Sequence, residues 1–186
     1  MIAAEATAQV VDVNFITASA SSAQAFKTAT LLKTLNINVL IFGEVGVGKR
    51  SLARYVAPNT TVVDASDGGE LLKALASCST LIVTNLERSS NVKNILELAS
   101  ANNTRIIATA QSLFLHDLLD KHFSVKFEIP PLSGREEDVQ KLIELFIEES
   151  AVTFSTPADL KMKDFKPNLR ENAKSLRRQV FLNCLF

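Results

Sequence analysis

Apolar residues along the chain fall into two alternating kinds of cluster. Short, β-branched, nearly continuous runs occur at "NVLIF" (38–42), "TTVVDA" (60–65), "TLIVTN" (80–85), "TRIIATA" (104–110) and "VKFEI" (125–129). Runs of this kind, with little polar alternation, suit strands covered on both faces. Between them, "GELLKALAS" and "NVKNILELAS" space apolar residues three and four apart, the period of an amphipathic helix. Strands alternating with helices predict a parallel sheet joined by right-handed crossovers, and hence an α/β fold. Gly68 and Gly69, ahead of the first of these helices, are expected to form an ordinary turn.

Beyond the fifth run the pattern changes. Pro130 and Pro131 interrupt it, and Ser133 with Glu136 has the spacing of a capping box. In the helix expected next, Val139, Leu142, Ile143, Phe146 and Ile147 make one apolar face. "STPADLKMKDF" predicts a second short helix, with Thr156 as N-cap and Pro157 at the first helical position. "NLRENAKSLRRQVFLNCL" predicts a third, burying Ala173, Leu176, Val180 and Phe181. The expected organisation is an α/β core over residues 1–132 and a small helical lid over 133–186.

Composition narrows the classes. With 186 residues, 47% of them hydrophobic, the chain can bury a sizeable core. Twenty basic and twenty acidic residues balance, which argues against wholesale binding to nucleic acid or an anionic membrane. Cys78 and Cys184 are far apart and lack metal-ligand spacing, so a reduced, cytoplasmic setting is expected. His116 and His122 have no companion cysteine and no HExxH arrangement, so no zinc site is expected. No apolar run approaches the ~18 residues of a membrane span. The opening "MIAAEATAQVVDV" lacks the basic stretch and long apolar core of a secretory signal.

The sharpest chemical signal is "IFGEVGVGKRSLARYV" (41–56). Gly43, Gly48 and Lys49 fit G-x-x-x-x-G-K between a predicted strand and a predicted helix, the context that a phosphate-binding loop requires. Glycines let backbone N–H groups curl round phosphates, the helix N-terminus adds its positive end, and Lys49 would reach phosphate oxygens. The expected nucleotide site therefore comprises Gly43, Glu44, Val45, Gly46, Val47, Gly48 and Lys49, with Arg50 and Ser51 behind them. Arg50 is anomalous, because most such loops place a magnesium-ligating hydroxyl there and a guanidinium cannot ligate a cation. Ser51 comes one position late, turned about 100° around the helix.

Residues 15–56, "FITASASSAQAFKTATLLKTLNINVLIFGEVGVGKRSLARYV", resemble the start of the AAA+ domain of bacterial enhancer-binding proteins, the activators of sigma-54 RNA polymerase. "FEIPPLSGREEDVQKLIELFI" resembles that family's junction between ATPase core and helical lid, and "KPNLRE" resembles its lid motif. The resemblance implies a three-layer P-loop core with a five-stranded parallel sheet, a C-terminal helical lid, and ATP or ADP as ligand; whether magnesium accompanies it is left open by Arg50. It places Ile16 and Thr17 near adenine and makes Arg170 the lid arginine that senses the γ-phosphate. The family commonly has glutamate after the loop lysine, so Arg50 reverses that charge.

Departures from the family pattern are as informative. Where the third strand should end in aspartate and glutamate stand Thr84 and Asn85, neither a general base nor an anionic metal ligand. The sensor asparagine of the next strand is replaced by Ala110, with Gln111 one position off. Leu115 and, approximately, Lys121 occupy the places of two arginines that serve a neighbouring subunit, and lysine lacks the planar fork. The long insertion carrying GAFTGA, which contacts the sigma factor, is missing from residues 60–85. An attached receiver domain and a helix-turn-helix domain are likewise not expected.

Loss of a catalytic base lowers rates by about 10²–10⁴, and loss of an arginine finger by about 10³–10⁵. The leading expectation is a nucleotide-responsive regulator without efficient hydrolysis, acting through a protein partner. That partner would be another AAA+ protein, a transcriptional or flagellar regulator, or a second copy as a homodimer. One alternative is an interaction scaffold in which Arg50 fills or blocks a vestigial site. Another is a slow ATPase using Glu87, if the strand end bulges, or Asp64. Arg170, Lys174, Arg177 and Arg178 cluster on the last predicted helix, but DNA contact is not expected, because a solvated lid face explains them.

Overall fold

The computed structural model describes residues 15–154 and 165–185. The helix expected around Thr156 and Pro157 lies outside the described residues. Five parallel strands, β1 (Val39–Phe42), β2 (Val62–Asp64), β3 (Thr80–Thr84), β4 (Arg105–Ala110) and β5 (Val125–Glu128), form one sheet in the order β2-β3-β4-β1-β5. Each falls inside one of the β-branched runs, trimmed by one residue, or by three in β2. Two helices, α1 (Ala20–Leu32) and α2 (Lys49–Val56), cover one face. Three others, α3 (Gly68–Ser77), α4 (Val92–Ala101) and α5 (His116–His122), cover the opposite face.

Strand pleating assigns the core residues to these two layers. Leu40, Leu81, Val83, Ile106 and Ala108 pack against Leu71, Leu75 and Leu96 of α3 and α4. Their neighbours Val39, Ile41, Ile82 and Ile107 point the other way, against Ala25, Ala29, Leu52 and Val56. Such two-sided burial explains why the runs read as continuously apolar.

The expected turn at Gly68 and Gly69 is corrected: both residues open α3. Asp67 is the N-cap, its carboxylate accepting the Glu70 amide at 2.9 Å, and this cap outweighs the poor helix propensity of two glycines. The Ser133 capping box is corrected too. Ser133 sits in a 3₁₀ turn (Leu132–Gly134), and α6 (Glu136–Phe154) starts only after it. The last helix, α7 (Ala173–Leu185), begins five residues later than expected, because residues 168–172 form a turn that docks on the core. Packing of α6 on α7 buries Val139, Leu142, Ile143, Phe146, Leu176 and Val180, with Ile147, Ala173 and Phe181 at the margin.

The stretch 130–139 contains the joint between sheet and helical pair. Arg135 and Asp138 are 2% and 0% exposed. The Arg135 guanidinium donates from Nε to Asp138 Oδ2 at 2.6 Å and from Nη1 to the Val47 carbonyl at 3.1 Å. Asp138 also accepts the Ser19 amide at 2.8 Å and the Ser19 and Ser22 hydroxyls at 2.9 and 3.1 Å. One buried ion pair thus ties the N-cap of α1, the glycine loop and α6 together. Burial alone would raise the Asp138 pKa, but the Ser19 amide, Arg135 and the two hydroxyls outweigh it and hold the carboxyl below its ordinary value.

Candidate functional site

The glycine loop leaves the carboxyl end of β1, which lies between β4 and β5; open α/β folds place their ligand crevices at the carboxyl ends of the strands. Gly43, Gly46 and Gly48 have φ of 143°, 79° and 105°. These angles suit glycine and curl the backbone into a cradle. Two close approaches make the glycines necessary. A β-carbon on Gly43 would lie 2.4 Å from the Ile129 carbonyl oxygen, and one on Gly46 would lie 2.1 Å from that of Glu171. Val47 is buried beneath the loop, while Glu44 and Val45 are exposed on its rim.

Lys49 opens α2 and folds back, its Nζ donating to the Gly43 and Glu44 carbonyls at 2.6 Å each. Burial lowers the pKa of its ammonium, and the charges of Glu87 and Glu44 partly restore it. No side chain caps the N-terminus of α2, so the first amides of that helix keep their hydrogen-bonding capacity.

Above the loop lies a cleft of about 660 Å³, lined by residues of the core and of both C-terminal helices. Val45, Gly46, Gly48, Lys49, Arg50 and Ser51 supply the floor. Asp64, Thr84, Asn85, Thr109 and Gln111 line it from the strand ends. Leu142, Leu145 and Phe146 of α6 make an apolar wall; Ala173, Lys174 and Arg177 of α7 close the other side. Arg50 is exposed on the cleft's surface rather than filling it. Gln111, one register position past the expected place, still reaches the cleft, whereas Ala110 faces the α3–α5 layer and gives its carbonyl to the Gly43 amide at 3.2 Å.

At the end of β3, Asn85 adopts a left-handed backbone with φ of 55°. Its Nδ2 donates to Asp64 Oδ2 at 2.6 Å, and its amide donates to Thr109 Oγ1 at 3.3 Å. The Asp64 carboxylate further accepts the Ser66 amide and hydroxyl at 3.0 and 2.6 Å and the Thr84 hydroxyl at 3.3 Å. Burial works against this anion, but hydrogen bonds from Ser66, Asn85 and Thr84 prevail and hold its pKa low. Asp64 is thus an ionised carboxylate with its oxygens occupied.

Glu87 follows the strand end and acts on Lys49 without the bulge that the sequence reading required. Instead of a bulge, the left-handed Asn85 turns the chain into a 3₁₀ turn (Leu86–Arg88). That turn buries both Glu87 carboxylate oxygens with no hydrogen-bond partner among the described residues, close enough for their charge to act on Lys49. An asparagine after the strand was the available signal, since asparagine tolerates the left-handed region.

Other expected residues lie elsewhere. Arg170 is exposed and outside the cleft lining, while Lys174 and Arg177, from the same basic cluster, line it. Arg177 forms a bidentate pair with Glu149 of α6 at 2.9 and 2.6 Å. Ile16 and Thr17 line an adjoining hollow with Lys141, Glu144 and Glu148; Leu145 borders both spaces. Leu115 and Lys121 are exposed and away from the cleft.

Asn172 was not foreseen. It is 1% exposed, with φ of 52°. Its Nδ2 donates to the Val45 carbonyl at 2.9 Å and to Glu44 Oε2 at 3.0 Å, and its Oδ1 accepts the Leu132 amide at 2.6 Å. Beside it the Ala173 amide donates to the Gly46 carbonyl at 3.1 Å. The start of α7 is therefore bonded directly to the glycine loop.

Solved structures share this architecture. NtrX from Brucella abortus in complex with ADP superposes with a TM-score of 0.75 at 17% identity, over 95% of this chain and 52% of that one. Its complex with ATP gives 0.75 at 17% identity, over 90% and 51%. The Thermotoga maritima Holliday junction branch migration motor RuvB gives 0.56 at 19% identity, over 85% and 57%. The chain thus spans about half the length of each of these structures. Together with the strand order, these likenesses define the fold as the P-loop α/β fold of AAA+ domains. No protein-family model matches the sequence, and no curated protein sequence matches it.

Proposed function

We propose that this chain is a nucleotide-binding regulatory domain of the AAA+ type, related to sigma-54 activators, which holds ATP or ADP without efficient turnover. One observation carries the reading: an intact glycine cradle with Lys49 lies at the floor of an open cleft whose strand ends present no free carboxylate. The cradle fits a nucleotide's phosphates through the amides around Gly46, Gly48 and Lys49, and the apolar wall of α6 fits the rest of the molecule. NtrX, which shares this fold, has been crystallised in complex with ADP and with ATP, which supports a nucleotide as the ligand. A bound nucleotide supplies anionic charge between the loop and α7. Because Asn172 and Ala173 bond to loop residues, occupancy of the loop and the seating of α7 are coupled. Residues 1–132 then serve as the core and 133–186 as a lid whose position a protein partner reads. That partner is another AAA+ protein, a transcriptional or flagellar regulator, or a second copy, in the cytoplasm.

A specific observation favours a second reading, a slow ATPase. The buried Glu87 carboxylate, which has no hydrogen-bond partner among the described residues and whose charge acts on Lys49, is the candidate for a relocated base. Thermal unfolding and phosphate release separate the two. ATP and ADP are expected to raise the melting temperature of the intact chain but not of Lys49→Ala, with phosphate release no faster than in Lys49→Ala. Release abolished by Glu87→Gln would establish the slow enzyme. No thermal shift with either nucleotide would overturn both readings in favour of a scaffold.

A further inference from the structure

AAA+ domains imply magnesium beside the nucleotide, and the residues here do not fit it. The position after the loop lysine is Arg50, which is a cation itself. The Thr84 hydroxyl shares its one proton between the Val63 carbonyl and Asp64, each at 3.3 Å, and Asn85 directs its amide nitrogen, a donor, at Asp64. Asp64 Oδ1 already accepts two hydrogen bonds from Ser66, and Oδ2 accepts from Asn85 and Thr84.

Cationic charge is abundant in the same cleft. Lys49, Arg50, Lys174 and Arg177 line it against the carboxylates of Asp64 and Glu149. Arg177 is committed to Glu149 at 2.6 Å, and Lys174 approaches Glu171 at 3.4 Å. Glu44 and Glu87 offset part of the Lys49 charge. Arg50 forms no ion pair among the described residues. It stands on the first turn of α2, next to the lysine that meets the phosphates. A guanidinium there has five donors in a planar fork suited to phosphate oxygens, and it repels a divalent cation held close by.

We infer that the site takes its nucleoside di- or triphosphate free of metal, with the Arg50 guanidinium in the electrostatic role that magnesium has in AAA+ ATPases. This rests on the nucleotide-binding reading above. A metal-free polyphosphate keeps negative charge that a magnesium complex has partly neutralised, so Arg50, which has no ion pair among the described residues, favours the free form.

Calorimetric titration of ATP and of ADP into the intact chain, once with EDTA and once with excess magnesium, tests it beside Arg50→Ala and Arg50→Lys. Arg50 is exposed on a helix, where alanine is well tolerated, so both variants are expected to fold. Binding in EDTA is expected to equal or exceed binding in magnesium. Arg50→Ala should lose about tenfold or more of the EDTA affinity, a loss typical of a charged hydrogen bond removed from phosphate, and Arg50→Lys less. Tighter binding in magnesium, or affinity in EDTA indifferent to Arg50→Ala, overturns the inference and leaves the nucleotide-binding reading standing. Absence of binding under both conditions removes the two together.

Discussion

Asp138 concentrates several structural demands in one side chain. It compensates the buried Arg135, terminates the start of α1 through Ser19, and fixes α6 relative to the glycine loop. Asp138→Asn removes a charge but leaves the guanidinium buried, so a loss of about 3–5 kcal/mol in urea unfolding is expected at neutral pH. The sign of the pH dependence follows from its lowered pKa. In the unfolded chain this carboxyl titrates near its ordinary value of about 4; in the folded chain it stays ionised to lower pH. The stabilisation is therefore present above that ordinary value and is lost as pH falls through the folded one. Unfolding curves collected from pH 6 downward should show a component of acid destabilisation that Asp138→Asn lacks. The pattern P-P-L-x-x-R-x-x-D-V was legible in the sequence as a family likeness, but its physical reason was not. Glu136 and Glu137 stay exposed beside the buried carboxylate at 138, and the distant partners that select it, Ser19 and Ser22, are not legible in "REED".

At the scale of elements, the strands were readable because two-sided burial leaves a continuous apolar run, and α2, α3 and α4 were readable from loop context or helical period; α1 and α5 were not read from the pattern. The start of α3 was misread for a definite reason. Glycine pairs suggest turns by propensity, yet Asp67 supplies a cap that fixes the helix start one residue ahead of them. Gly68 has no atom within 4 Å of where a β-carbon would stand and lies in the helix, so Gly68→Ala should stabilise the protein. The expected gain is about 0.5–1 kcal/mol in thermal or urea unfolding. The turn before α7 was equally hidden, because "NLREN" has no hydrophobic period and its anchor, Asn172, acts through contacts 40 and about 127 residues away in sequence. Asn172→Ala leaves the Leu132 amide and the Val45 carbonyl without these partners, at a cost of about 2–3 kcal/mol. Hydrogen exchange should then accelerate in α7 well beyond any change in β1, β3 and β4. A uniform increase across the sheet would mean that the start of α7 is not the element the asparagine holds.

For the whole molecule, the glycine loop, its strand and its helix were the legible half of the site. The other half is assembled from three places: strand ends carrying Asp64, Asn85 and Thr109, the 3₁₀ turn carrying Glu87, and the α6–α7 pair carrying Lys174 and Arg177. Sequence distance hid their convergence, and it also hid which arginine of the final basic cluster turns inward. Arg170 points to solvent, while Arg177, two turns further on, meets Glu149 across the cleft. The account as a whole holds that the phosphate cradle persists without the groups that drive hydrolysis. The most direct measurement is to incubate the intact chain with labelled ATP at stoichiometric concentration, recover the protein after several hours, and identify the nucleotide it carries. Recovery of intact ATP from the intact chain, and of none from Lys49→Ala, is the result predicted. Recovery of ADP with free phosphate, or of no nucleotide at all, would contradict it.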